Sequence, residues 1–223
     1  MEQVLEQKHE VKEATSVKQR IALAAVQKQL QILKLKEILL LIGFTVGGGL
    51  LRVPMQIIPS AEPITFFAML AGWLFGKYKG FLVGAGALYI SNFFVMGGQG
   101  PWTPFQALGF GLAGFAGGFL REKSTVFEAI VVAIIGTLAF ELVMQFSSAM
   151  YLPAGFLALF VSALPFMMTH LFTNTLFAAF LPKAKKFVHE KGGFDEKAIC
   201  DELISKHSNK PYVARIFSGK ARQ

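Results

Sequence analysis

Met96-Gly97-Gly98-Gln99-Gly100-Pro101-Trp102-Thr103-Pro104-Phe105-Gln106 carries no charge, and long apolar runs flank it on both sides. Two prolines and three glycines bar a regular helix through its middle, because proline lacks an amide donor and glycine loses the most backbone entropy. Trp102 suits a membrane–water boundary, with an apolar ring and one N–H that wants a polar partner. Gln99 and Gln106 offer amides for hydrogen bonding. The stretch reads as a loop built at a bilayer surface. Gln99 to Gln106 is expected to act as an outer gate, flexible when empty and ordered over bound solute, with Trp102 stacked on the solute or closing the pocket; the competing reading makes Trp102 an interfacial anchor only.

Working outward, composition sets the class. Hydrophobic residues make up 53% of the 223, and 23 are Phe. Charge is confined mostly to the first 37 residues and the last 41. A soluble domain needs more polar surface than the middle offers, so the chain is read as a polytopic membrane protein. The net charge of +8 is accounted for by Lys and Arg flanking membrane helices, and no aromatic-interleaved basic surface points to nucleic acid. The single Cys, Cys200, excludes an internal disulfide.

Residues 1–36 form a polar, helix-favouring extension, with Val4, Val11, Ala14, Val17, Ile21 and Ala24 at helical spacing. It reads either as an amphipathic helix on the membrane or a partner, or as a solvated extension of the first span. It lacks the pattern of a signal peptide. Residues 37–182 hold six apolar segments, near 38–58, 63–76, 80–97, 102–120, 125–150 and 155–181. The second rises only about 20 Å, short of the roughly 30 Å hydrocarbon core. Pro59 and Pro63 bracket Ser60-Ala61-Glu62, so that loop is expected to dip into the protein, where irregular backbone must be buried or line a wet cavity. Residues 183–223 form a basic tail.

The N-terminal segment, Lys77 and Lys79, Arg121 and Lys123, and the Lys183-Lys185-Lys186 cluster fall on one side, whereas the three loops on the other contain no Lys or Arg. The expected fold is therefore an all-α membrane protein of six transmembrane helices with both termini cytoplasmic, and with the Gln99–Trp102 loop facing outward.

Polar residues within spans are costly in lipid and need a reason. Arg52 and Glu141 are expected at similar depth in the outer half, as a buried ion pair, a site for an anionic or zwitterionic solute, or both. Glu141, Gln145 and Ser148 recur at i, i+4 and i+7 and give the fifth helix one polar face. Asn92 lies at comparable depth. The candidate solute-binding set is Arg52, Glu62, Asn92, Gln99, Trp102, Gln106, Glu141 and Gln145. His170 and Asn174 are placed deeper, and a lone membrane His is read first as a packing residue. No His has metal-ligand spacing, so neither metal nor cofactor is expected.

Small residues recur four apart at Gly43 and Gly47, at Gly109, Ala113 and Gly117, and at Gly114 and Gly118, which lets helix backbones approach closely within the protein or across an interface. Enzymatic motifs are missing. Gly76-Lys77 is followed by Tyr78 where a phosphate loop needs Ser or Thr, and neither G-x-S-x-G nor H-E-x-x-H occurs. No enzymatic activity is expected.

Six short-looped helices, Pro59-Ser60-Ala61-Glu62-Pro63 after the first, and Gly98-Gln99-Gly100-Pro101-Trp102-Thr103-Pro104 before the fourth resemble the substrate-binding S component of an energy-coupling-factor (ECF) transporter. The similarity covers roughly residues 35–182 and is nearest to a branch associated with cobalamin or related corrinoids. The resemblance implies capture of a vitamin or micronutrient near the outer face, docking on a membrane T component driven by two ATPase subunits, and tilting to release the load inward. It also implies docking through a small-x-x-x-small pair on helix one, here Gly43 and Gly47 in place of the family's two alanines. The rivals are a stand-alone secondary transporter with Glu141 or His170 carrying a coupling proton, and a membrane enzyme or structural partner on the same scaffold.

Overall fold

The computed structural model describes residues 2–192, and the expected tail beyond 192 lies outside the described residues, as do the side chains on the expected apolar face between Val4 and Ala24. Seven α-helices and no strand occur among the described residues: α1 Glu2–Met55, α2 Ile64–Phe75, α3 Lys77–Ser91, α4 Thr103–Gly117, α5 Val126–Tyr151, α6 Phe156–Ala178 and α7 Leu181–Gly192. Three stretches, Gln31–Met55 of α1, α5 and α6, are long and apolar enough to cross a membrane. The chain is a helical membrane protein.

Helices α1 to α6 fall on the six apolar segments. Helix α1 passes the expected boundary at residue 36 without a break, so the polar extension continues the helix of the first apolar stretch. Helix α3 ends at Ser91 and not near Gly97. There the Ser91 hydroxyl donates to the Leu88 carbonyl, Asn92 turns to partners on other helices, and Gly97 and Gly98 take positive φ of 91° and 55°. Helix α5 starts on a reciprocal cap. Thr125 Oγ1 accepts from the Glu128 amide at 3.3 Å, and the Glu128 carboxylate accepts from the Thr125 amide at 2.7 Å. Helix α7 was not expected as a separate element; Lys36 Nζ donates to its last carbonyl, at Gly192, at 3.1 Å.

Helices α2, α3 and α4 rise only about 18–22 Å each, and they pack into one slab. Glycines set their spacing: a Cβ at Gly72 would overlap the Gly114 carbonyl oxygen, and one at Gly114 would overlap the Gly80 carbonyl oxygen. A Cβ at Gly80 would come within 2.6 Å of the Gly72 Cα. Three backbones therefore meet where no side chain fits. The row on α4 is likewise internal, with Gly109 under the Phe140 ring, Ala113 against Gly136 and Gly117 on the Met69 backbone. Gly43 and Gly47 meet nothing within 4 Å.

Helix α5 packs on α4, and α6 packs on α5. The buried residues of α6 are His170, Asn174 and Ala178, all in its second half. Helix α7 returns to the end of α2, burying Leu181 completely.

Gly114→Ala should lower stability by at least about 1–3 kcal/mol through overpacking, whereas Gly43→Ala should stay within about 0.5 kcal/mol of the wild type. Thermal unfolding of the detergent-solubilised proteins checks this, and equal losses would refute the tri-helical glycine contact.

Candidate functional site

A cavity of about 360 Å³ lies between the second half of α5, the middle of α6 from Ala163 to His170, the first half of α4, the end of α1 and the 56–63 loop. Its walls are built by local rules. Pro54 stands in the last turn of α1, the helix ends at Met55, and the chain turns through Ser60 at a φ of 61°, the one positive φ outside glycine among the described residues. The turn drives Ala61, Glu62 and Pro63 into the interior, as the proline-bracketed loop led one to expect. Glu62 then caps α2. Its carboxylate accepts from the Thr65 amide at 3.1 Å and from the Thr65 hydroxyl at 2.6 Å, which places negative charge at a helix N-terminus.

The floor of the cavity is His170. Its Nδ1 lies 2.7 Å from a Glu141 carboxylate oxygen and its Nε2 3.2 Å from a Glu62 oxygen, with all three residues buried. Both ring nitrogens face carboxylates, so the group carries a proton for each contact: an imidazolium, or a neutral ring with one protonated carboxyl. Phe140 meets the ring edge-to-face at 5.0 Å, and Phe110 meets it at 6.3 Å. His170 does start deeper than Glu141, as expected, but helix geometry brings its ring to the carboxylate. Glu141 lies about 15 Å from the C-terminal end of α5 and His170 about 21 Å from the start of antiparallel α6. Side chains lean toward the N-terminus of their own helix, so the two lean toward each other and close that gap.

Of the alternatives for Arg52 and Glu141, the direct ion pair does not form. Arg52 Nη1 donates to Ser91 Oγ and to Asn92 Oδ1, both at 2.8 Å, because the break after Ser91 brings these groups to the end of α1. Asn92 is fully buried and stands behind the wall: its Nδ2 donates to Gln106 Oε1 at 3.1 Å and lies 3.4 Å from Thr103 Oγ1. One side chain thus fixes both Arg52 and Gln106, which do line the cavity.

Arg52, Glu62, Gln106, Glu141 and Gln145 therefore come together around one space. Gln99 and Trp102 do not join them. Gln99 Nε2 donates to the Tyr89 carbonyl at 2.8 Å, and Trp102 is 39% exposed with its indole against Gly100. The short loop folds its indole onto its own glycine, away from the cavity lining. Gln56, His170 and the aromatic wall of Phe110, Phe140 and Phe166 complete the cavity and were not in the candidate set.

Gln145 is 6% exposed, lines the cavity, and its Oε1 has no hydrogen-bond partner among the described residues. An orphaned acceptor at this depth costs about 1–3 kcal/mol unless a solute or water supplies a donor. The cavity as a whole offers two carboxylates, a guanidinium and an imidazole against an aromatic wall. That suits a small solute with polar groups at its edge and an apolar body. No cluster of three or more metal-ligating side chains suited to an ion occurs among the described residues.

His170→Leu should cost about 3–5 kcal/mol, because two buried carboxylates lose their common partner. Arg52→Ala should cost less, about 1–3 kcal/mol, since Ser91 and Asn92 are neutral and the group is half-buried. Chemical unfolding of the two variants ranks them; the reverse order would overturn the assignment of the floor as the main structural bond.

No curated protein and no solved structure matches the chain. Residues 33–193 match one described family, a span that starts within α1 just before its apolar stretch and runs through α7. By that match over most of its length, the chain belongs to the family of unknown function DUF6580.

Proposed function

We propose that the protein is a membrane-embedded solute-binding subunit of an ATP-driven importer, of the ECF S-component type. The observation that carries this reading is the cavity of about 360 Å³, charged and hydrogen-bonding at its floor, walled by helices apolar enough to cross a membrane. In this reading α1 to α6 all cross the bilayer of the cell membrane and both termini are cytoplasmic. The short α2, α3 and α4 reach across with the dipped 56–63 loop and the 92–102 turn completing their outer ends. Lys and Arg at every inner turn and none at the outer loops support the orientation.

The solute is a vitamin-sized molecule. A space of this volume lies at the low end of the roughly 300–1000 Å³ typical of small-molecule sites, which favours a single small ring system over a whole corrinoid. Capture is the work of this chain, whereas ATP is consumed by two partner ATPases coupled through a T component. Gly43 and Gly47, with open space at both Cβ positions, offer the docking face.

Purification in mild detergent followed by mass spectrometry should find one small molecule retained at near-unit stoichiometry, and Arg52→Ala should lose it. Recovery of empty protein under conditions that preserve the fold would refute the reading. Gly43→Leu and Gly47→Leu should keep the solute yet lose co-purification with the T component.

A second reading, a stand-alone proton-coupled carrier, is favoured by one observation, the imidazole held between two carboxylates at the cavity floor. The two separate in vesicles. A carrier alone should accumulate solute over many turnovers under a proton gradient and stop on Glu141→Gln, whereas a binding subunit alone should not turn over.

A further inference from the structure

A second cleft, of about 320 Å³, lies at the other end of α5 and α6 from the cavity, between the 121–125 loop, the end of α2 and α7. The position along the membrane normal follows from chain order. Helix α6 rises about 35 Å, enough to cross the hydrocarbon, and α7 begins three residues after α6 ends. The cleft therefore sits where hydrocarbon gives way to water. Trp73, whose N–H donates to the Arg121 carbonyl at 2.8 Å, forms part of its wall, as suits an indole at that level.

Lys185 is the built element. It is 9% exposed, its Nζ lies 4.7 Å from the centre of the Trp73 ring, and it donates to the Glu122 carbonyl at 2.7 Å. Two of its three N–H donors have no acceptor among the described residues. Burial holds its ammonium below the ordinary lysine pKa, with the Glu122 charge opposing that shift. Lys186 and His189, one helical turn or less away, line the same cleft with Ser124. Two acidic groups must be counted against them: Glu122 lines the cleft, and Glu190 lies 3.6 Å from Lys186. The Glu122 carboxylate disfavours a doubly charged phosphomonoester, and it can accept from the hydroxyls of a glycerol headgroup on a singly charged phosphodiester. Phe127, Phe180 and Phe187 are each more than half exposed near this end, an apolar surround that free phosphate would not use.

We propose that this cleft binds the phosphate of an anionic phospholipid headgroup, held by Lys185, Lys186 and His189. The inference does not depend on the transport reading. Basic groups between membrane helices at the interface are the usual cradle for such headgroups, and each adds a factor of about five in affinity.

Full-length protein stripped of lipid in detergent can be titrated with phosphatidylglycerol, phosphatidylcholine or glycerol phosphate, reading retained lipid by native mass spectrometry and melting temperature in parallel. Phosphatidylglycerol should bind saturably and raise the melting temperature, and phosphatidylcholine should do neither. Lys186→Gln combined with His189→Gln should weaken phosphatidylglycerol about fivefold or more without lowering the melting temperature of the lipid-free protein. Lys123→Gln, which alters a nearby charge outside the cleft lining, should leave binding unchanged. Equal binding of the two lipids, or equal loss in Lys123→Gln, would overturn the site. Saturable stabilisation by glycerol phosphate that matches the lipid would overturn the lipid assignment and leave a soluble phosphate in its place.

Discussion

Three helical elements meet in one hydrogen-bonded bridge, Glu62–His170–Glu141. The imidazole ties α6 to α5 through Glu141 and to the N-terminus of α2 through Glu62, which in turn caps that helix. Desolvating two carboxylates is expensive, and the shared imidazole with its proton is what makes the arrangement tolerable. Because the bridge is also the cavity floor, the interaction that holds α6 in place is the one a solute would touch. Stability and recognition are not separable there.

The slab of α2, α3 and α4 supplies the fixed side of the cavity. Its backbone contacts at Gly72, Gly80 and Gly114 leave no room for side chains to slide or repack, so the slab behaves as a rigid body on which Glu62 and Gln106 are mounted. Asn92 extends this rigidity to the end of α1 by bonding Arg52 on one side and Gln106 on the other. Two charged groups and one amide are thereby held by hydrogen bonds within the protein, which under the proposed function would reduce the ordering cost of binding a solute.

Much of this architecture could be read from residue order. Apolar runs bounded alternately by basic turns and by proline–glycine loops without Lys or Arg located α1 to α6, and Pro59 with Pro63 announced the buried turn around Glu62. The end of α3 was harder, since it depends on the Ser91 hydroxyl and the Asn92 amide finding partners and not on any break in hydrophobicity. His170 was undervalued for a similar reason: its two carboxylates are 29 and 108 residues away in sequence, so the ring looks solitary until the helices are brought together. Of the two readings open for Arg52 and Glu141, the direct ion pair is not formed, because similar depth along two helices says nothing of which face each side chain takes. Where Gln99 and Trp102 point could not be read from the sequence, because the loop's turn at Gly97 and Gly98 and the stacking of the indole on Gly100 depend on backbone angles that residue types alone do not set.

Helix α6 makes the cavity asymmetric in the cost of opening. Below His170 it buries Asn174 and Ala178; above it, from Phe156 to Thr169, no residue is buried. Swinging that first half away from α5 would expose little apolar surface that is now buried, and the penalty for doing so is correspondingly small. The imidazole bridge then serves as a pivot, with a firmly seated lower half and a loosely held upper one. A solute entering between α5 and α6 would have to work only against the loose half, leaving the glycine-packed slab undisturbed.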